Sequence, residues 1–458
     1  MYQIDFNHPI SVYFMGIGGI SMSGLAEVLL SRGFKISGSD RLKSRLTESL
    51  EEKGAVIYYG QRSENITPDI DLVVYTAAIS KDNPEWMAME ELNLPRLSRA
   101  ELLGEIMRNY ALPVAVAGTH GKTTTTSMVS EILLTADTDP TLSIGGILKS
   151  IDGNIRVGHS EFFVTEACEY TNSFLSFYPK ISIILNVEED HMDFFKDLND
   201  IRNSFHRFAM LLPTDGTLII NGEIENHADI TEGISCPCIT YGFSNDCDYY
   251  ATDITYNELG YPTFTLHAKG YSDIILSLSV PGRHNVSNAM AAMAFADCVG
   301  IERSIAALAL KNFGGTERRF EYKGSVAGIT VIDDYAHHPT EIEATLHAAR
   351  NYNKKVWCVF QPHTYTRTKA FLPEFAKALS LADHVVLADI YAAREKNTIG
   401  ISSLDLLELV KKEGIPCDYF PSFDEIENFL LENCTQGDLL ITMGAGDIVK
   451  VGERLLGK

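Results

Sequence analysis

The sequence predicts a three-domain α/β protein built on parallel sheets, and three observations lead there. Short apolar strands alternate with helical patterns in two stretches that flank a middle stretch of different texture. Two glycine-rich runs, GIGGISMSG (16–24) and AGTHGKTTTTS (117–127), each leave an apolar strand and open a helix. The length, 458 residues, exceeds the roughly 250–300 residues at which one hydrophobic core stops growing. The expected domains are 1–110, 111–315 and 316–458. The first and last read as doubly wound, Rossmann-like units and the central one as a mononucleotide-binding domain with a phosphate loop.

In chain order, SVYFMG (11–16) reads as a buried strand, followed by a helix near 20–31, the strand FKISGSD and a strand VVYTAAI (73–79). The first domain closes near Asn109 to Pro113. PVAVAG (113–118) opens the second, and a helix follows Lys122. FFVTEA and ISIILNVEEDH are apolar strands that run into acidic residues. TFTLHAKG and IILSLSVPG read as an antiparallel pair, ahead of a helix from about Asn285 to Cys298. From near Thr316, TVIDD, KVWCVFQ, HVVLADI and DLLITMGAGD are strands that each precede a helical pattern.

Charge and composition narrow the partners. With 61 acidic against 38 basic side chains, the net charge of −23 repels a polyanion, so no nucleic-acid partner is expected. No stretch approaches the ~18 consecutive apolar residues of a membrane span. The start MYQIDFNHPI has neither the basic nor the apolar region of an export signal, so the expected location is the cytoplasm. The expected assembly is a monomer or a weak homo-dimer. The eight cysteines are scattered, and Cys236 and Cys238 lack the paired spacing of a zinc site, which points to reduced thiols.

The second glycine run carries the strongest chemical signal. In Gly118-Thr119-His120-Gly121-Lys122-Thr123-Thr124, backbone amides at a helix start wrap phosphate oxygens, Lys122 reaches the β- and γ-phosphates, and the Thr123 hydroxyl suits Mg²⁺. Val116 stands where the full phosphate-loop pattern has its first glycine, so this is a shortened GxxGKT loop. The first run offers Gly16, Gly18, Gly19, Ser21, Met22 and Ser23 to a diphosphate, with Asp40 at the end of the second strand. A nicotinamide dinucleotide, and with it an oxidoreductase, is the competing reading of that loop; the diphosphate of a nucleotide sugar is the other.

Glu166 ends one strand and His191 lies just beyond the next, so both would open toward the carboxyl edge of a parallel sheet, where a second Mg²⁺ could sit. His191 alternatively caps a helix after Met192. Asn285 and Asn288 lie three apart at a helix start, facing a base or phosphate or serving as caps. In GGTERRFEYKG (314–324) a guanidinium could meet a phosphate. Asp334, His337 and His338 follow a buried strand, and Arg367 in QPHTYTRT is the candidate for the carboxylate of a small acid.

Taken together, GIGGISMSGLAE, AGTHGKTTTT, NVEEDHMD, GRHNVSNA, RRF, DDYAHHPTE and QPHTYTRT resemble the Mur ligases of peptidoglycan synthesis over almost the whole chain. The resemblance implies an N-terminal UDP-binding domain, a central ATPase and a C-terminal amino-acid domain. GIGGISMSG and DDYAHHPTE are similar to the branch that adds L-alanine to UDP-N-acetylmuramate; the branch that recycles a tripeptide shares the histidine pair. By resemblance, Lys122 and Thr123 serve ATP and Mg²⁺, Glu166 and His191 hold a second Mg²⁺, Asn285 and Asn288 contact adenine or phosphate, and Arg319 and Asp334 complete the ATP site. His191, His337 or His338 would assist proton removal from the amine. Cys168, Tyr170 and Thr364 depart from the family pattern, which leaves Arg367 as the candidate for alanine's carboxylate. His206 stands where several sibling ligases carry a carbamylated lysine, so no carbamate is expected.

Overall fold

The structure, a computed structural model that describes residues 2–393 and 395–458, divides into two compact units. One comprises the chain up to Glu188 together with Asn199–Ile239; the other comprises Glu189–Leu198 and Thr240–Lys458.

The first unit holds two sheets. Strands β1 (Ser11–Met15), β2 (Lys35–Asp40), β3 (Val56–Tyr59), β4 (Leu72–Tyr75) and β5 (Arg96–Ser98) form a parallel sheet in the order β3-β2-β1-β4-β5. The chain therefore reverses its direction of winding between β1 and β4, the place where doubly wound sheets open a crevice at their carboxyl edge. The helices around it start on strong local signals: Ser44 with Thr47, and Ser98 with Glu101, form capping boxes for Arg45–Glu52 and Arg99–Met107. The strand expected over 73–79 stops at Tyr75, because Thr76 turns the chain by accepting the Ala78 amide on its hydroxyl and the Ile79 amide on its carbonyl.

In the same unit, β6 (Leu112–Ala117), β7 (Thr141–Leu148), β8 (Gly153–Arg156), β9 (Phe162–Ala167), β10 (Ile181–Ile184) and β11 (Thr217–Asn221) run in the order β8-β7-β9-β6-β10-β11. All neighbours are parallel except β7 and β8. The central strand β6 is buried over all but its first residue, as a strand covered on both faces must be. The two sheets are locked together by close backbone contact: a Cβ on Gly104, in the helix Arg99–Met107, would lie 1.9 Å from the Ser176 carbonyl oxygen.

The division between the units falls within β12 (Cys238–Gly242). In the second unit, β13 (Tyr249–Tyr256), β14 (Pro262–Ala268) and β15 (Ile274–Ser277) are antiparallel neighbours, of which the sequence led us to expect the β14–β15 pair, and the helix Arg283–Cys298 follows. The last sheet has β16 (Glu321–Val326), β17 (Ile329–Asp334), β18 (Val356–Phe360), β19 (His384–Leu387), β20 (Cys417–Tyr419) and β21 (Leu439–Met443) in the order β16-β17-β21-β18-β19-β20. Only β16 is antiparallel to its neighbour. Alternation along β18 sends Val356, Cys358 and Phe360 into one core and Trp357 and Val359 into another, so helices cover both faces. No helix among the described residues is long and apolar enough to cross a membrane.

Candidate active site

The glycine loop Gly118 to Thr124 leaves β6, and its neighbours β9 and β10 bring their carboxyl ends to either side of it. Gly118 (φ +150°) and Gly121 (φ +81°) occupy backbone conformations that side chains rarely adopt. A Cβ on Gly118 would also lie 2.9 Å from Leu185 Cβ. Asn186, just beyond β10, clamps the loop: its Oδ1 accepts the His120 amide at 2.7 Å and its Nδ2 donates to the His120 carbonyl at 3.1 Å. The Thr119 hydroxyl accepts the Glu188 amide at 2.9 Å, and the His120 ring lies 3.5 Å from the Glu188 carboxylate. Gly121 caps the helix Lys122–Thr135 without a side-chain bond, which leaves the first-turn amides of Lys122, Thr123 and Thr124 available to an anion.

Lys122 folds back over this loop. Its ammonium donates to the Gly118 carbonyl, to the Thr119 carbonyl at 3.1 Å, and to both Glu169 oxygens at 3.0 and 3.3 Å. Burial alone would lower its pKa, but Glu169, together with Cys168 and Glu166, outweighs that and pushes it up to about 12, so the side chain carries its charge at neutral pH. Glu169 is itself 2% exposed. It lies three residues beyond Glu166 in the run TEACEY and went unassigned in the sequence, although a second acid so near the first was the available signal. Glu166 ends β9, where its Oε1 accepts the Gly145 amide at 2.6 Å; a Cβ on Gly145 would lie 2.6 Å from Oε2, so the glycine makes room for the carboxylate.

The other glycine loop sits at the switch point of the first sheet. The amides of Gly16 and Ile17 both donate to the Ser39 carbonyl at 2.9 Å. Asp40 braces the loop from inside: Oδ2 accepts the Gly18 amide at 2.8 Å and Oδ1 accepts the Arg41 amide at 2.7 Å. A Cβ on Gly18 would meet Asp40 Oδ2 at 2.8 Å. Gly19 caps the helix Ile20–Ser31. Ser21 Oγ receives a bond from Arg99 Nη1 at 3.1 Å, and the Met22 side chain is buried, which leaves Met22 only its first-turn amide for a ligand. The sequence expectation for Ser23 fails: it is buried, its amide donates to the Gly19 carbonyl at 2.8 Å and its hydroxyl to the Ile20 carbonyl at 3.0 Å, so the first turn of the helix uses up both donors.

In the second unit, Asn285 and Asn288 share one face of the helix Arg283–Cys298, with Asn288 Nδ2 donating to Asn285 Oδ1 at 3.1 Å. Neither is the cap, which is Gly282. The two arginines at the start of the last sheet have different surroundings. Both guanidinium groups lie over the Tyr335 ring, at 5.0 and 5.3 Å, but Arg318 is bound internally, to Asp333 at 2.9 Å and to the carbonyls of Gly444 and Gly446, whereas Arg319 has Glu341 at 3.8 Å. Arg318 and Phe320 on either side have positive φ, +59° and +49°, and the Arg319 amide donates to the Thr316 carbonyl at 3.2 Å. Asp334 accepts the Phe320 amide at 2.8 Å and the Ala336 amide at 2.7 Å; its burial raises its pKa to about 6 against the pull of Arg319.

His338 caps the helix Pro339–Arg350, its Nδ1 accepting the Thr340 amide and its Nε2 lying 3.1 Å from the Glu189 carbonyl, a pattern met by the tautomer protonated on Nε2. Burial lowers the pKa of His337 to about 4 despite the nearby Glu341 carboxylate. His191 caps no helix: with φ +55° it sits in a turn whose carbonyl accepts the Phe194 and Phe195 amides, and the next helix starts only at Leu198. Its Nε2 is 3.7 Å from Asp190 Oδ2. Arg367 donates to Asp190 Oδ1 from Nη2 at 2.9 Å and from Nε at 3.3 Å, with His363 Nδ1 at 3.3 Å from Nη1. Burial would raise the pKa of Asp190, but Arg367 and the rings of His191 and His338 hold it well below the usual carboxylate range.

Comparison with known proteins covers the whole chain. Residues 11–111 match the Mur ligase family catalytic domain, 116–296 the Mur ligase middle domain and 318–446 the Mur ligase glutamate ligase domain. The UDP-N-acetylmuramate--L-alanine ligases of Agathobacter rectalis and Lachnospira eligens are 59% and 58% identical to it, each over 100% of both chains. Among solved structures, the UDP-N-acetylmuramate-alanine ligase of Thermotoga maritima superposes with a TM-score of 0.80 at 29% identity, over 98% of each chain. A murein peptide ligase from Psychrobacter arcticus superposes at 0.70 and 26% identity, also over 98% of each chain. With three successive domain matches and relatives this similar end to end, the chain belongs to the Mur ligase family.

Proposed function

We propose that the chain is an ATP-dependent ligase that joins L-alanine to the lactyl carboxylate of UDP-N-acetylmuramate, the first peptide-forming step of peptidoglycan synthesis. One observation carries the reading: a charged lysine, Lys122, is folded over an amide-lined loop on a chain that aligns end to end with ligases of this name. The divisions 1–110, 111–315 and 316–458 are proposed to serve the UDP-sugar, ATP and the amino acid respectively.

A carboxylate is a poor electrophile at neutral pH. Transfer of the γ-phosphoryl group from ATP to the lactyl carboxylate gives an acyl phosphate and ADP; attack by the amine of L-alanine then forms the amide and expels phosphate. Lys122 and the first-turn amides of Thr123 and Thr124 offset charge on the transferring group, with Gly118, Thr119, His120 and Gly121 shaping the cradle. The Thr123 hydroxyl and the Glu166 carboxylate are oxygen donors suited to Mg²⁺, and the space that Gly145 leaves at Glu166 is consistent with that use. When bound, Mg²⁺ supplies neutralisation of phosphate charge. His191 is proposed as a further ligand by resemblance. In the second unit, Asn285, Asn288, Arg319 and Asp334 are proposed for the nucleotide and Arg367 for the carboxylate of alanine. His338 is the proposed aid to amine deprotonation, a role that requires its Nδ1 to release the Thr340 amide or its Nε2 the Glu189 carbonyl. Gly16, Gly18, Gly19 and Ser21, with the amide of Met22 and the brace from Asp40, are proposed for the UDP diphosphate.

The deciding assay is phosphate release from ATP and UDP-N-acetylmuramate with each amino acid in turn. L-alanine should support turnover best. A clear preference for a peptide that begins with L-alanine over free L-alanine would refute the substrate assignment while leaving the ligase chemistry intact.

A further inference from the structure

A carboxylate-binding arginine is useful only if its planar fork is aimed, and a long, flexible side chain does not aim itself. Arg367 is held from two sides. Its Nε and Nη2 share one oxygen of Asp190 at 3.3 and 2.9 Å, and Nη1 faces His363 Nδ1 at 3.3 Å. Both members of the ion pair are nearly enclosed, with side chains 11% and 8% exposed, so the pairing is shielded from solvent. Asp190 is fixed in turn, because the oxygen that meets Arg367 also accepts the His191 amide at 2.7 Å. His363 is fixed as well: its ring stacks on Tyr391 at 5.7 Å and meets the His337 ring edge-on.

Asp190 does not use up the fork. It contacts the Nε/Nη2 side through a single oxygen, and His363 takes one direction of Nη1. Each terminal nitrogen carries two hydrogens, so after these contacts Nη1 and Nη2 each keep one donor, enough for a second carboxylate. An acid that competed with the substrate would occupy both; Asp190 stays on the Nε/Nη2 side.

We infer that Asp190 and His363 are positioning residues for amino-acid recognition, which hold Arg367 with its outer edge presented to the carboxylate of the incoming amino acid. The inference rests on the reading that Arg367 takes that carboxylate, and it adds how the guanidinium is aimed. Asp190→Asn keeps the shape but weakens the charge-assisted bonds, so the KM for L-alanine should rise about tenfold, with kcat and the KM values for ATP and UDP-N-acetylmuramate little changed. Asp190→Glu should recover part of that loss, and His363→Phe should raise the alanine KM by a smaller factor. In a double-mutant cycle, Asp190→Asn should add little to Arg367→Ala, since it acts through that side chain.

The measurement is steady-state phosphate release with L-alanine varied, with thermal unfolding of each variant to establish folding. A raised alanine KM for Arg367→Ala beside an unchanged or lowered one for folded Asp190→Asn and His363→Phe would overturn the inference and leave the Arg367 assignment standing. An unchanged alanine KM in Arg367→Ala would remove the assignment itself. Should Asp190→Asn fail to fold, His363→Phe and Asp190→Glu carry the test, and normal alanine KM values in both would overturn it.

Discussion

Two buried cation–carboxylate pairs, one in each compact unit, look alike on paper and differ in what they leave free. In the first unit the Lys122 ammonium spends its donors on Glu169 and on the carbonyls of Gly118 and Thr119. In the second, the Arg367 guanidinium meets Asp190 along one side and keeps an outer edge. An ammonium is a point charge with three donors, so a ligand phosphate gains Lys122 only by taking it from a present partner. A guanidinium has five donors in a rigid plane and can serve two carboxylates at once. The same net charge thus gives an exchangeable contact in one unit and a fixed platform in the other.

Four substitutions test this difference, in order of decreasing expected effect. Lys122→Ala should lower ADP formation by at least about 10²–10³-fold, the usual cost of removing a donor to the developing charge, while UDP-sugar affinity measured by calorimetry stays near normal. Near-normal turnover would end the assignment of the loop. Glu169→Gln leaves a buried ammonium without its counter-charge, at a cost of about 3 kcal/mol to the unliganded protein. If Lys122 is exchanged onto phosphate, a non-hydrolysable ATP analogue should recover much of the lost Tm; equal losses with and without the analogue would show that the ammonium never changes partner. Arg367→Lys keeps the charge and loses the plane, so the alanine KM should rise about tenfold with the ATP KM unmoved, and an unchanged value would make the fork geometry irrelevant. Asp40 braces Gly18 with no cation involved, so Asp40→Asn should weaken UDP-sugar binding by only about 1 kcal/mol, read as a few-fold rise in Kd.

Much of the fold was legible because its signals are local. The buried strand β6, the two glycine loops and the helix starts after them depend on residues within one or two turns of each other, and each was read from the sequence close to where it lies. The antiparallel pair β14 and β15 and the four strand-then-helix repeats of the last sheet came through by the same route. The strand at Leu72–Tyr75 was read too long because VVYTAAI stays apolar past Tyr75, and apolarity does not reveal the turn that Thr76 makes. The helix cap offered as an alternative for His191 failed for a related reason: MDFFKD has apolar residues, yet the chain turns at His191 before any helix begins.

The two glycine loops, Gly118 to Thr124 and Gly16 to Met22, and the acids and arginines of the quoted motifs could be picked out from local sequence alone as candidates for phosphate and charge. How those charges are paired is visible only in the folded chain. Glu169 meets Lys122 across 47 positions, and Asp190 meets Arg367 across 177. The reason is physical. Backbone geometry and amide cradles arise from neighbours along the chain, whereas a buried charge is satisfied by whatever the folded core brings within about 3 Å, and no local pattern encodes that partner.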